Sequence, residues 1–183
     1  MCYDAPASCP SPAIEVFALK IGSRRQSRGF SLIELLIVIA VILTIAAIAI
    51  PRLLRSRMLA NETSAVASLR TLCTVQVSYE STYQVGYAPS FAALGPPPVG
   101  VAPSAGSAGL IDSVLAAGIK SGYQFTYSPV DSNGDGKVDT FTITAAPLTP
   151  GQTGDRFYFV DQSNVIRFNL GAPATLASTP IPP

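Results

Sequence analysis

From Phe30 to Ile50 the chain is a near-continuous apolar run of 21 residues carrying one charge, Glu34. At about 1.5 Å per residue a helix of that length spans the roughly 30 Å hydrocarbon core of a bilayer, so residues 30–50 predict a single transmembrane helix. Beyond it, Leu54, Met58, Ala65, Leu69, Leu72, Cys73, Gln76, Tyr79 and Tyr83 recur at helical spacing, which extends the helix to Tyr83. Pro51 interrupts this stretch. It removes a backbone donor and crowds the carbonyl of Ala47, which predicts a kink at that point. A helix over residues 30–83 would be about 80 Å long.

The second half of the chain changes period. Gln84 to Gly109, with Gly95-Pro96-Pro97-Pro98 and Ser104-Ala105-Gly106-Ser107, reads as an irregular connection. Ile111 to Lys120 predicts a short helix ended by Ser121-Gly122. Residues 123–127, 140–144, 157–160 and 165–168 alternate as strands, the last two joined by a turn at Asp161-Gln162-Ser163-Asn164. The expected fold class is therefore α+β: one long helix, transmembrane in its first half, packed on a roughly four-stranded antiparallel sheet. The globular domain should cover residues 84–170, with a disordered proline-rich tail over 171–183.

Glu34 is costly where it stands. A charge at mid-bilayer costs about 2.5–3.5 kcal/mol, less near the edge, so its presence implies a use and a partner. Just before the run lie Arg24, Arg25 and Arg28, then Gly29. An ordinary secretory signal has a shorter apolar segment, about 7–15 residues, and a small-x-small cleavage site. A plain signal anchor matches the length but has no use for Glu34.

The pattern Arg28-Gly29-Phe30-Ser31-Leu32-Ile33-Glu34-Leu35-Leu36 resembles the processing site of type IV prepilins and of the pseudopilins of type II secretion. The resemblance implies cleavage of a leader, residues 1–29, by a prepilin peptidase between Gly29 and Phe30. It also implies N-methylation of Phe30 and assembly through the retained helix. The new α-amine, with an ordinary pKa of about 7.7–8.0, would then be neutralised by Glu34 of a neighbouring subunit. Other implied partners are further copies of the chain and an inner-membrane assembly platform. The implied location is the inner membrane, single-pass with a cytoplasmic N-terminus, and after assembly a surface pilus or, for a pseudopilin, the periplasm. A softer similarity to pilin-like proteins covers residues 68–89 and 159–167.

Composition narrows the alternatives. Eight basic and nine acidic residues follow position 29, so nothing argues for a nucleic-acid site. Cys2 and Cys9 lie in the leader, and Cys73 alone cannot form a disulfide within the processed chain. Many type IV pilins close a C-terminal loop with such a bridge, so another device must hold these loops. Cys73 itself reads as a core residue. With no histidine, no Gly-x-Ser-x-Gly and no Ser-x-x-Lys, the chain is not expected to be an enzyme. Asn61-Glu62-Thr63 fits a glycosylation sequon but sits in a helical pattern of a prokaryotic family, and is set aside.

Asp131-Ser132-Asn133-Gly134-Asp135-Gly136-Lys137-Val138-Asp139 matches the first nine places of a calcium loop. The candidate ligands are Asp131, Asn133, Asp135, the Lys137 carbonyl and Asp139. Position twelve is Thr142 rather than a bidentate glutamate, and the flanks predict strands, so an EF-hand switch is excluded. The same residues also suit a hairpin turn, because Asn-Gly and Asp-Gly favour positive φ. Calcium is the one cofactor the sequence suggests. Major pseudopilins use calcium in place of a disulfide, which keeps a pseudopilin of protein export as the alternative to a pilus subunit supporting adhesion, motility or DNA uptake. A monomeric membrane-anchored calcium-binding module is the third reading. In the leader, Met1 to Ala18 is unlike a short basic prepilin leader, which leaves two readings open: a start at Leu19, with Val16 the second choice, or a long leader that the peptidase tolerates because it reads only the residues around the cut.

Overall fold

A computed structural model describes residues 29–182. Residues 1–28 of the leader, with its cysteines and the candidate starts at Leu19 and Val16, lie outside the described residues.

Helix α1 runs from Leu32 to Tyr83 with Pro51 inside it. It is continuous through the proline, whose missing N–H leaves the Ala47 carbonyl without its usual partner. In the N-terminal unit, residues 29–41, the apolar side chains stand exposed, Phe30 at 74 % and Leu32 at 81 %. Among the described residues α1 is the one helix long and apolar enough to cross a membrane.

Residues 42–182 belong to the second unit, which holds the core. The buried stripe of α1 begins at Glu62 and continues through Ala65, Leu69, Leu72, Cys73, Gln76 and Tyr79, at the three- and four-residue steps of a helix face. Leu54, expected on this stripe, remains exposed. Two one-turn helices follow, α2 (Phe91–Leu94) and α3 (Ser113–Ala116), N-capped by Ser90 and Asp112. The helix expected over Ile111–Lys120 is thus one turn long. Its last two residues instead form strand β1 (Ile119–Lys120), since Gly118 at φ +78° ends the helical path.

The sheet has six strands rather than four. β2 (Tyr123–Val130), β3 (Thr140–Pro147), β4 (Arg156–Asp161) and β5 (Arg167–Leu170) are the expected strands, lengthened or displaced by a few residues, and β6 is Thr179–Pro180. All neighbours pair antiparallel in sequence order. β3 buries every second residue, Phe141, Ile143, Ala145 and Pro147, and the first three meet Phe125, Tyr158, Val160 and the apolar residues of the α1 stripe in one core. Cys73 lies in that core, and burial, with Asp161 adding a smaller electrostatic effect, pushes its thiol up to about 11. The thiol packs as a small hydrophobe.

Residues 171–182, expected as a disordered tail, lie along the sheet edge. β6 pairs with Arg167 and Phe168, the Ile181 amide donates to the Ile166 carbonyl at 2.8 Å, and Arg167 donates to the Ser178 carbonyl at 3.1 Å. Ala174 is buried. Backbone pairing therefore holds the C-terminal segment without a disulfide. The connection over residues 84–109 is tied to α1 in a similar way. Gln76 accepts the Ala88 amide at 2.9 Å and the Tyr79 hydroxyl donates to the Ala105 carbonyl at 2.6 Å.

Candidate assembly helix and aspartate turn

Glu34 sits in the first turn of α1, where the unpaired amides of the helix start favour a carboxylate. It is exposed, as are Gly29 and Phe30 two turns or less away. Among the described residues no cation pairs with it; the two ion pairs are Lys120–Asp112 and Arg156–Glu62. The partner that its place in an apolar run calls for is thus not supplied by the described chain. The exposed apolar surface on the same segment, from Leu32 through Ile50, likewise finds no cover.

The aspartate turn joins β2 to β3. Asp131 Oδ1 accepts the amides of Asn133 and Gly134 at 3.2 and 2.7 Å, and Oδ2 accepts Gly136 at 2.9 Å. These amides, Gly136 first and Gly134 second, hold the Asp131 carboxyl below the usual carboxylate range. Asn133 Oδ1 accepts the Asp135 amide at 2.9 Å, Asp135 Oδ1 accepts the Lys137 amide at 2.8 Å, and Asp139 Oδ2 accepts the Ser132 amide at 3.0 Å. Gly134 and Gly136 take φ of +77° and +81°, the left-handed conformation that glycine adopts freely. The donor set is all oxygen, which suits a hard cation such as calcium. As arranged, however, its oxygens cap backbone amides, and among the described residues no three Asp, Glu, Cys or His side chains gather as a metal cluster. The Lys137 carbonyl completes the predicted set in sequence.

Sequence reasoning passed over a second polar site. Asn61 and Glu62 clamp α1 to the connection between β3 and β4: Asn61 Nδ2 donates to the Thr153 carbonyl at 3.0 Å, and Glu62 Oε1 accepts the Asp155 amide at 3.0 Å. The only sequence signal was a pair of polar residues falling at the start of the buried stripe.

Comparison with known proteins places the exposed helix in context. Residues 24–50 match the family model of the prokaryotic N-terminal methylation motif. The chain carries a prokaryotic N-terminal methylation motif. It is 48 % identical over 56 residues to the type IV wide pilus major component PilA4 of Thermus thermophilus, covering 31 % of this chain and 43 % of that protein. It is 38 % identical over 72 residues to the type IV major pilin protein PilA of Myxococcus xanthus, covering 35 % of this chain and 33 % of that one. The chain thus matches less than half the length of these pilins. No solved structure matches it. The methylation motif spans the positions singled out above, Gly29, Phe30 and Glu34, together with the whole apolar run to Ile50.

Proposed function

We propose that this protein is a structural subunit of a type IV pilus-like filament. The observation that carries the reading is Glu34: a carboxylate without a partner in the described chain, inside an exposed apolar helix that bears the methylation motif. Before assembly the helix anchors the chain in the inner membrane with its N-terminus in the cytoplasm. A prepilin peptidase cuts between Gly29 and Phe30 and methylates Phe30, and the assembly platform passes the subunit into the filament. There Glu34 meets the α-amine of a neighbouring Phe30, and the apolar faces of residues 30–50 cover one another. The role is mechanical rather than catalytic, and adhesion, motility or DNA uptake would follow from the filament.

Glu34→Ala tests this directly. It makes the span more apolar, so membrane insertion persists, while leaving a buried amine unpaired costs about 3–5 kcal/mol and stops assembly. Sheared surface filaments are counted by electron microscopy and their subunit by mass spectrometry. Wild-type filament yield from the mutant would defeat the pairing.

The aspartate turn favours a second reading within the same superfamily, a calcium-stabilised pseudopilin of type II secretion. Its support is an all-oxygen set held by six backbone amides, in a chain whose one described cysteine is free. Processed protein retained in the cell envelope and absent from sheared filaments would favour this alternative.

A further inference from the structure

Immediately after the apolar run, α1 carries Arg52, Arg55 and Arg57, all exposed, interleaved with exposed Leu53, Leu54 and Leu59. At about 100° per residue Arg52 and Arg55 share one side of the helix and Arg57 lies about 140° from Arg52. Charge and apolar surface therefore alternate around this segment, and none of the three guanidiniums has an ion-pair partner among the described residues. The next acid along α1, Glu62, is already taken by the Asp155 amide and Arg156.

The opposite sign gathers at the other end of the same unit. Glu80, exposed and unpaired, shares an open cavity of about 570 Å³ with Val77, Ser81, Lys137, Val138 and Asp139. Two carboxylates, Glu80 and Asp139, thus line the cavity with one ammonium, and Asp131 and Asp135 stand on the same β2–β3 turn as Asp139. Arg55 and Glu80 are 25 residues apart on one helix, roughly 38 Å, and cannot reach each other within a chain.

We propose that the unpartnered Arg52–Arg57 segment docks against the Glu80–Asp139 cavity of a second copy of this chain, setting the axial stagger between subunits. The inference rests on the filament reading above. Charge complementarity selects the occupant: the three exposed arginines lack an acid of their own, Glu80 and Asp139 share a cavity with the single ammonium of Lys137, and Arg70, the remaining arginine of α1, lies ten residues, about 15 Å, from Glu80. Two different patches meeting in this way make a heterologous contact, which repeats as an open filament when its rotation does not close. Anionic lipid would match the arginines but would leave the acidic cavity without a partner.

The test is a cysteine cross-link in filaments of the full chain, with Cys73→Ala to remove the native thiol. Arg52→Cys, Arg55→Cys and Arg57→Cys are each combined with Glu80→Cys and oxidised in sheared filaments. A disulfide needs Cα atoms within about 7 Å, so any product joins two copies rather than one chain to itself. The expected result is a ladder of linked subunits for at least one pair, at least tenfold above the single-cysteine controls. Filaments at parental yield with no ladder from any pair overturn the contact. Charge reversal covers the case in which the cysteine chains do not assemble. Arg55→Glu is expected to cut filament yield at least tenfold and Arg55→Glu with Glu80→Arg to restore most of it; equal loss in both overturns the pairing. Arginine reversals that weaken binding to phosphatidylglycerol vesicles but leave filament yield unchanged assign the segment to lipid and also overturn it. Absence of filaments from the parent chain defeats the filament reading itself, which separates the two failures.

Discussion

Glu62 on α1 accepts the backbone amide of Asp155, 93 residues further along the chain, at 3.0 Å. The carboxylate is buried, and its other oxygen lies 3.7 Å from the partly exposed Arg156 guanidinium, which itself stands over the Phe168 ring. One side chain thus fastens the long helix to the entry of β4. Glu62→Ala strands a backbone donor and is expected to lower the stability of a soluble fragment starting near Arg55 by about 1–3 kcal/mol in urea unfolding. Glu62→Gln keeps an acceptor and should lose less. Equal unfolding midpoints for the alanine variant and the parent would show that the amide finds water instead.

Beside this clamp the chain passes Gly154 close to an aromatic ring. A Cβ added at Gly154 would overlap the Tyr123 phenol, whose hydroxyl donates to the Arg156 carbonyl at 3.0 Å and whose ring is fully buried. Neither group can give way cheaply. Gly154→Ala is expected to cost about 1–3 kcal/mol by overpacking, whereas Gly151→Ala meets nothing nearby and reports backbone conformation alone, at φ +80°. Tyr123→Phe removes the nearest overlapping atom but leaves the ring carbons, so a smaller Gly154→Ala loss in the Tyr123→Phe background than in the parent traces the cost to this overlap, and an equal loss assigns it elsewhere.

Asp112 offers a pH-dependent contact. Its Oδ2 pairs with Lys120 at 2.9 Å and its Oδ1 accepts the Leu115 amide at 2.8 Å, and these two bonds, Lys120 first, hold its carboxyl below the ordinary value. A depressed folded pKa means that its contribution is complete above the unfolded value, about 3.9, and is lost as pH falls through the folded one. Asp112→Ala removes the cap of α3 and should cost about 0.5–2 kcal/mol at pH 7. That deficit should shrink as melting is followed from pH 5 towards pH 2. A deficit constant across this range would assign the loss to packing.

How much of this was legible in the sequence depends on length scale. The run Phe30–Ile50 and the alternation in β2 and β3 persist over enough residues to reveal their period, and Glu34 stands out because a charge there is costly. Two-residue strands have no period, so β1 and β6 could not be seen. The C-terminal segment looked mobile because proline signals a lack of regular structure, while its anchoring depends on pairing with Arg167 and Phe168. Glu62 was missed for a related reason: a polar residue at the start of an apolar stripe looks like the edge of the pattern until its partner at Asp155 is known. The aspartate turn was legible as a spacing. Which groups its oxygens would face was not.

That turn gives the last prediction. Asp131, Asn133, Asp135 and Asp139 each spend oxygen lone pairs on amides of their own loop, which keeps the loop folded without an ion but retains lone pairs that a hard cation can use. Calcium is expected to bind the folded domain and not the unfolded chain. At about a hundred times Kd it then adds about 2.7 kcal/mol, a rise of several degrees in melting temperature for a domain of this size. The measurement compares melting with millimolar calcium, with chelator, and with Asp135→Ala, which should abolish the difference. Magnesium serves as the control, since its smaller shell demands near-octahedral geometry and it gives up its waters reluctantly. An unchanged melting temperature in calcium would leave the turn as a hydrogen-bonded hairpin alone, and would remove the observation that favours the pseudopilin alternative over the pilus subunit.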